Sequence, residues 1–251
     1  MRRSSLYLCI IMALLLLVAA LNTGFTQSKK AQSTASPQEQ IYRISAVKIK
    51  PGMGPEWEDF LKNELVPALK KSGVKQFGVW KTQLGDPNSY LLTRRIGSLA
   101  ELDDPSPLSA ALMAKVQQYF VTSRIYTITS RPNLSIEPKS GYALKMGFLT
   151  ISSVAQGRTE DFEKNLKELV AAIGKTNAKG FLTFRAGLGS DPNEYHTLVL
   201  FDSFADYDKF IPAITKAIAE AKLAPQTGIV MHSERTVIRN IPELSIQPAA
   251  Q

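Results

Sequence analysis

Leu84-Gly85-Asp86-Pro87-Asn88-Ser89-Tyr90 returns further along the chain as Leu188-Gly189-Ser190-Asp191-Pro192-Asn193-Glu194-Tyr195. Gly, Asp, Pro and Asn each favour a turn, through positive φ, side-chain bonding to the backbone, or a fixed φ. The flanks, Gln76–Leu84 with Ser89–Ile96 and Phe181–Leu188 with Glu194–Phe201, carry the β-branched and aromatic residues of strands. Each copy therefore reads as a hairpin.

Two more segments recur around these hairpins. Ser98-Leu99-Ala100-Glu101-Leu102-Asp103 returns as Ser203-Phe204-Ala205-Asp206-Tyr207-Asp208. Pro132-Asn133-Leu134-Ser135-Ile136-Glu137-Pro138 returns as Pro242-Glu243-Leu244-Ser245-Ile246-Gln247-Pro248. A spacing of about 100–110 residues is too long for a solenoid repeat and suits a duplicated small domain.

Outward from the hairpins, both copies read strand, helix, strand, strand, helix, strand. In the first, Ile41–Lys50 alternates as a strand, and Pro51-Gly52-Met53-Gly54-Pro55 breaks it. Trp57, Phe60, Leu61, Leu65 and Leu69 then recur at helical spacing, with Pro67 expected to kink the helix and Gly73 to end it. Helical sequence follows over 98–120, interrupted at Pro105 and Pro107, and Ser123–Arg131 is the last strand. In the second copy the strand Tyr142–Ser153, the helices Arg158–Lys175 and Phe204–Ala221, and the strand Thr227–Arg239 take the same places. A β-α-β-β-α-β unit is a ferredoxin-like split βαβ. Leu91, Leu92, Leu198 and Val199 make these strands apolar on both faces, so each sheet needs a cover opposite its helices. The expected fold is α+β: two ferredoxin-like repeats, 41–138 and 141–248, packed sheet to sheet as an α/β barrel within one chain.

The N-terminus reads as a secretory signal over 1–27, with Arg2 and Arg3 ahead of the apolar run Leu6–Leu21. An uncleaved anchor is the alternative, and the only membrane association expected. Residues 28–40 are Ser, Gln, Ala, Lys and Thr with one Pro, a flexible tether. Cys9 is the only cysteine, so the exported part has no disulfide and no thiolate chemistry. Net charge is +8, two units of it from Arg2 and Arg3. The lysines are scattered among Glu and Asp with no block interleaved with aromatics, which argues against a nucleic-acid partner.

The paired Gly-Asp-Pro-Asn hairpins, each followed by a Ser-x-Ala-Glu/Asp-x-Asp helix start, resemble the dimeric α/β-barrel superfamily. That group includes antibiotic-biosynthesis-monooxygenase-like and stress-responsive A/B-barrel domains. The resemblance spans nearly all of 41–240 and implies that a barrel usually built from two chains is built here from one. The superfamily hosts oxygenases, isomerases, haem enzymes and proteins with no known activity, so the resemblance implies fold more than reaction.

His196 and His232 are the only histidines, and no third ligand accompanies them at metal-binding spacing. No metal site and no resident cofactor are expected. Trp80, Arg95, Tyr126 and His196 are the expected ligand-binding residues, because an arginine beside aromatic rings can hold a carboxylate or phenolate on an otherwise apolar molecule. Trp80 aligns with Phe184 and Arg95 with Leu200, so any site is expected within one repeat, the first. Of Arg94 and Arg95, one is expected exposed and the other salt-bridged. No phosphate-loop, dinucleotide, zinc-protease or nucleophile-elbow motif is present. The expected function is an exported barrel, periplasmic or extracellular and monomeric or homodimeric, binding a small apolar or aromatic molecule. The alternative is a cofactor-independent monooxygenase-like or haem-handling enzyme. Intact mass of the exported protein is expected to place its first residue between about 22 and 32; retention of Met1 contradicts this.

Overall fold

The computed structural model describes residues 38–103, 108–176, 178–221 and 227–247. The expected signal segment and the tether up to residue 37 lie outside the described residues. The first half contains β1 (Ile41–Ile49), α1 (Gly54–Phe60), a π turn (Leu61–Leu65), α2 (Val66–Lys71), β2 (Phe77–Leu84), β3 (Ser89–Ile96), a 3-10 turn (Leu99–Leu102), α3 (Ala110–Tyr119), β4 (Phe120–Ser130) and a 3-10 turn (Pro132–Leu134). The second contains β5 (Met146–Val154), α4 (Thr159–Ile173), β6 (Gly180–Ala186), β7 (Glu194–Phe201), α5 (Phe204–Glu220), β8 (Val230–Asn240) and a 3-10 turn (Pro242–Leu244).

The strands close into a barrel in the order β1-β3-β2-β8-β5-β7-β6-β4, with β4 returning to β1. Every pairing is antiparallel. Registers recur between the halves. Ile41 faces Ile96 where Met146 faces Phe201. The slip at Lys48/Ile49 against β4 is matched by one at Ser153/Val154 against β8.

The two similar turns work as their residues require. The Asp86 carboxylate accepts from Asn88 N at 3.0 Å and the Asp86 carbonyl from Ser89 N at 3.0 Å. Asp191 does the same for Asn193 N at 2.8 Å and Glu194 N at 2.9 Å. Gly189, at φ +80°, also passes so close to β4 that an added Cβ would lie 2.6 Å from the Ile125 carbonyl oxygen.

Pro67 explains the π turn. A proline inside an α-helix lacks an N–H and presses on the carbonyl four residues back. Widening Leu61–Leu65 by one residue per turn relieves that contact and lets α2 restart with Pro67 in its first turn. Gly73 at φ +84° then closes α2, with Gly73 N bonding the Lys70 carbonyl and Val74 N the Leu69 carbonyl. The helical sequence expected over 98–120, interrupted at Pro105 and Pro107, is a short 3-10 turn and α3, separated by residues that include 104–107, outside the described set. β4 begins at Phe120 and β5 at Met146, so the expected strands were placed three residues late and four early.

Apolar residues on both strand faces are accounted for by two layers. Outside the barrel, Val47, Val79, Tyr90 and Leu92 pack under Trp57, Leu61 and Leu65, and Val154, Phe181 and Tyr195 pack under Phe162, Leu166 and Ile173. Inside, Trp80, Leu149, Leu198, Leu200 and Ile238 form one cluster and Ile44, Tyr126 and Ile128 another, with Leu91 touching both. One carboxylate ties each helix layer to its sheet. Glu58 accepts from Tyr90 OH and Lys81 Nζ, both at 2.7 Å, and Glu163 accepts from Tyr195 OH at 2.6 Å and Arg131 Nη2 at 3.3 Å.

The halves join edge to edge. β2 pairs with β8 through Trp80–Asn240 and Lys81–Arg239, and β4 pairs with β6 through Ile128–Ala186 and Thr129–Arg185. The segments after β4 and β8 cross over as well, Ile136 bridging Phe181 and Ile246 bridging Phe77. Ser135 Oγ accepts from Thr183 N and donates to the Arg131 carbonyl, both at 2.9 Å. Ser245 Oγ accepts from Val79 N at 3.1 Å and donates to the Ile241 carbonyl at 2.9 Å. Ser135→Ala and Ser245→Ala are each expected to cost about 1–2 kcal/mol in urea denaturation, because each strands a strand N–H facing the seam.

Candidate functional site

Alternation along the strands turns Ala46, Leu91, Leu149, Ile151 and Ile238 into the barrel at the end where the two hairpins lie. They line a cavity of about 440 Å³ that also takes in Thr82, Thr236 and Arg124. That volume falls within the roughly 300–1,000 Å³ usual for small-molecule sites. Lys48 and Asp86 stand at its rim, paired at 2.7 Å. A depression of about 420 Å³ between α4 and α5 is lined by alanines, lysines, Thr176 and Glu220. It brings together no expected site residue and no aromatic ring, so the barrel mouth is the better candidate.

A polar cluster stands beside the mouth. Glu194 begins β7, immediately after the Asp191-Pro192-Asn193 turn, and alternation puts His196 on the same face. Ile151, which lines the cavity, pairs directly with His196. Glu194 Oε1 lies 2.7 Å from His196 Nε2 and accepts from Ser190 Oγ at 2.8 Å. Its Oε2 is 3.8 Å from Arg124 Nη2, which itself donates to Ser190 Oγ at 2.6 Å. The Arg124 guanidinium sits 4.9 Å over the Tyr126 ring, and that ring is 5.6 Å from the His196 imidazole. Arg124 is half exposed, whereas His196 and Glu194 are buried.

The electrostatics assign roles. The His196 hydrogen bond, helped by Ser190, holds the Glu194 carboxyl below the usual carboxylate range against the opposing effect of burial. Glu194 is thus an anion at neutral pH. A carboxylate only accepts, so His196 Nε2 carries the proton and its Nδ1 is left as an acceptor when the ring is neutral. Burial, reinforced by the Glu194 charge, pushes the Tyr126 hydroxyl up to about 12, which keeps it a neutral phenol.

The four expected residues divide. Tyr126 and His196 meet in this cluster. Trp80 faces the lumen, packed with Leu149, Leu198, Leu200 and Ile238. Arg95 does not join them. It lies exposed opposite Tyr42, while Arg124 is opposite Ala46, about 13 Å away along β1 at roughly 3.3 Å per residue. Arg94 is half-buried on the other face and, among the described residues, has no carboxylate partner, unlike the salt bridge expected of one of this pair. His232 is exposed on β8, 3.6 Å from Glu234. Among the described residues no three His, Cys, Asp or Glu side chains converge as a metal site. The cluster also spans both halves, because β4 closes the barrel against the β6–β7 hairpin; an arrangement within one repeat was the expectation. At the other seam Ser89, Leu91 and Thr236 occupy the positions of Glu194, His196 and Tyr126.

Arg124 and Glu194 were not anticipated. Glu194 was visible as the one ionisable difference between the two similar turns, since Ser89 holds its place in the first. Arg124 carried no signal until the closure of the barrel was known. Because Glu194 is more acidic in the folded chain, its contribution is complete above the ordinary carboxylate range and is lost as pH falls through its lowered value. Glu194→Gln is expected to cost about 1–3 kcal/mol at neutral pH. In urea denaturation that gap should close with acidification, and a gap independent of pH contradicts the assignment.

No family model matches the chain, and no curated protein matches it. Solved structures do. A candidate monooxygenase from Lactobacillus acidophilus NCFM superposes with a TM-score of 0.59 at 12% identity, covering 85% of this chain and 99% of that one. An anthrone oxidase-like protein gives 0.57 at 8% identity, covering 82% and 93%. A mutant chlorite dismutase from Candidatus Nitrospira defluvii, in complex with cyanide, gives 0.53 at 9%, covering 81% and 92%. At such identities the shared property is the fold, and the chain is an α+β barrel of the kind seen in these proteins.

Proposed function

We propose that the protein binds a small anionic aromatic molecule in the hairpin-end mouth of its barrel. The observation that carries this reading is Arg124, half exposed at an apolar cavity of about 440 Å³ and stacked over Tyr126. An apolar floor takes up a ring, and a guanidinium at the edge takes a carboxylate or phenolate. Lys48 is paired tightly with Asp86 at 2.7 Å, whereas Arg124 lies 3.8 Å from Glu194, which leaves Arg124 as the cation better placed for an anionic ligand. The protein acts, in this reading, after export to the periplasm or outside the cell, as a monomer or homodimer. The recurring motifs and registers support an origin of the barrel as two ferredoxin-like repeats from one duplicated unit.

A second reading rests on the His196–Glu194 pair, which has the donor–acceptor arrangement of a base oriented by a carboxylate. In this reading, that of a cofactor-independent oxygenase, His196 Nδ1 is the acceptor such a base needs, on a side chain that adjoins the lining residue Ile151 without itself lining the cavity. The names of two of the similar structures agree with it in kind. Haem handling is less well supported by the side chains. Neither histidine lines the cavity: His196 Nε2 is held by Glu194, and His232 is exposed on β8.

Calorimetric titration with hydroxybenzoates and their uncharged amides tests both readings. Arg124→Leu should weaken the acids at least tenfold and the amides little, and Ala46→Phe should abolish both by filling the mouth. Equal loss of acid and amide in Arg124→Leu, or unaltered binding in Ala46→Phe, overturns the site. Oxygen uptake that disappears in His196→Ala while binding persists favours the oxygenase.

A further inference from the structure

A second cationic site lies on the opposite surface of the same sheet. Arg43 and Arg94 are direct cross-strand partners in the β1–β3 ladder, with Thr127 beside Arg43 and Phe77 beside Arg94. They alternate with Ile44 and Thr93, so they face outward, away from the lumen. Both are half-buried, and neither has an acidic partner among the described residues. Arg43 bonds only Ser45 Oγ, at 3.3 Å, and the buried Arg94 Nε bonds nothing. Glu101, in the 3-10 turn after β3, accepts from Gly97 N at 2.7 Å.

Like charges directly opposite on a ladder repel, and a buried donor without an acceptor carries its full desolvation cost. Burial, with the Arg94 charge, lowers the proton affinity of Arg43. The fold itself does not need charge at these positions. In the other half Phe148 and Val199 form the same pair, and Tyr207 of α5 packs on Phe148 with ring centroids 5.9 Å apart. Two guanidinium forks kept where the duplicate uses hydrocarbon are positioned for something external and anionic. One dianion neutralises both, whereas a monocarboxylate leaves one cation uncompensated.

We infer that Arg43 and Arg94 form an oxyanion site on the outer face of the barrel that takes a phosphate group. The site is independent of the lumen, and its failure leaves the proposed aromatic site untouched. Thermal denaturation and calorimetry of the full chain at constant ionic strength test it, with chloride as reference and inorganic phosphate, phenyl phosphate and acetate as probes. Phosphate should raise Tm and acetate should not. Tighter binding of phenyl phosphate than of inorganic phosphate assigns the site to a monoester, and the reverse assigns it to the free ion. Arg43→Phe and Arg94→Val, which install the residues of the other half, should weaken phosphate at least tenfold without lowering Tm in chloride. Arg43→Lys, which keeps the charge and loses the fork, should weaken it at least threefold and serves where the apolar variants do not fold. Absence of a phosphate effect on the unaltered chain, or the same effect in the variants, overturns the inference.

Discussion

Closure of the barrel is the constraint on which the other features rest. A four-stranded sheet has two edges with unpaired N–H and C=O groups, and exposed edges invite association with other chains. Here β2 meets β8 and β4 meets β6, so the lateral edges of each half are joined to the other half. The ladders that do this are short, Ile128 to Ser130 against β6 and Trp80 to Leu84 against β8. Farther along β4 the neighbouring chain is the hairpin loop, held by backbone bonds at Thr127 and then by side chains: Arg124 to Ser190, and both to Glu194. The polar cluster is therefore part of how the short seam between β4 and β6 is continued.

Much of the architecture was legible because its signals are local. Asp-Pro-Asn turns bond their own backbone, and Ser203 caps α5 by accepting from Asp206 N. Apolar residues on both faces of a strand required two covering layers, and two were found. The helical stretch expected at 98–120 forms only in part. Ser98 adopts nearly the same φ and ψ as Ser203, yet the segment after it stops as a 3-10 turn. The candidate site was half legible. Tyr126 and His196 were singled out on residue type, but their contact depends on which strands meet at a seam 70 residues apart in sequence. Arg95 was singled out and Arg124 was not, because which end of the barrel a strand residue reaches has no one-dimensional signature.

The halves share strand registers and differ where the skeleton is indifferent to side chain. Both retain the helix glutamate bonded to a strand tyrosine, Glu58 with Tyr90 and Glu163 with Tyr195. They differ at the mouth, where His196 and Glu194 stand against Leu91 and Ser89, and on the outer sheet face, where Arg43 and Arg94 stand against Phe148 and Val199. Ionisable groups thus concentrate at one seam and on one outer face, giving a pseudo-symmetric frame an asymmetric chemistry.

The exchange of segments after β4 and β8 has a consequence for the order in which the chain is made. Ile136 and Ser135 find their partners on β6, and the free side of β4 finds its partner there too. When the ribosome has completed the first half, that edge has nothing to pair with until β6 emerges some fifty residues later. Residues 77–79 wait longer still, because their partners around Ser245 and Ile246 lie at the far end of the chain. Vectorial synthesis therefore passes through an interval with open strands, and a chaperone that holds the nascent chain through it protects the step most prone to intermolecular pairing.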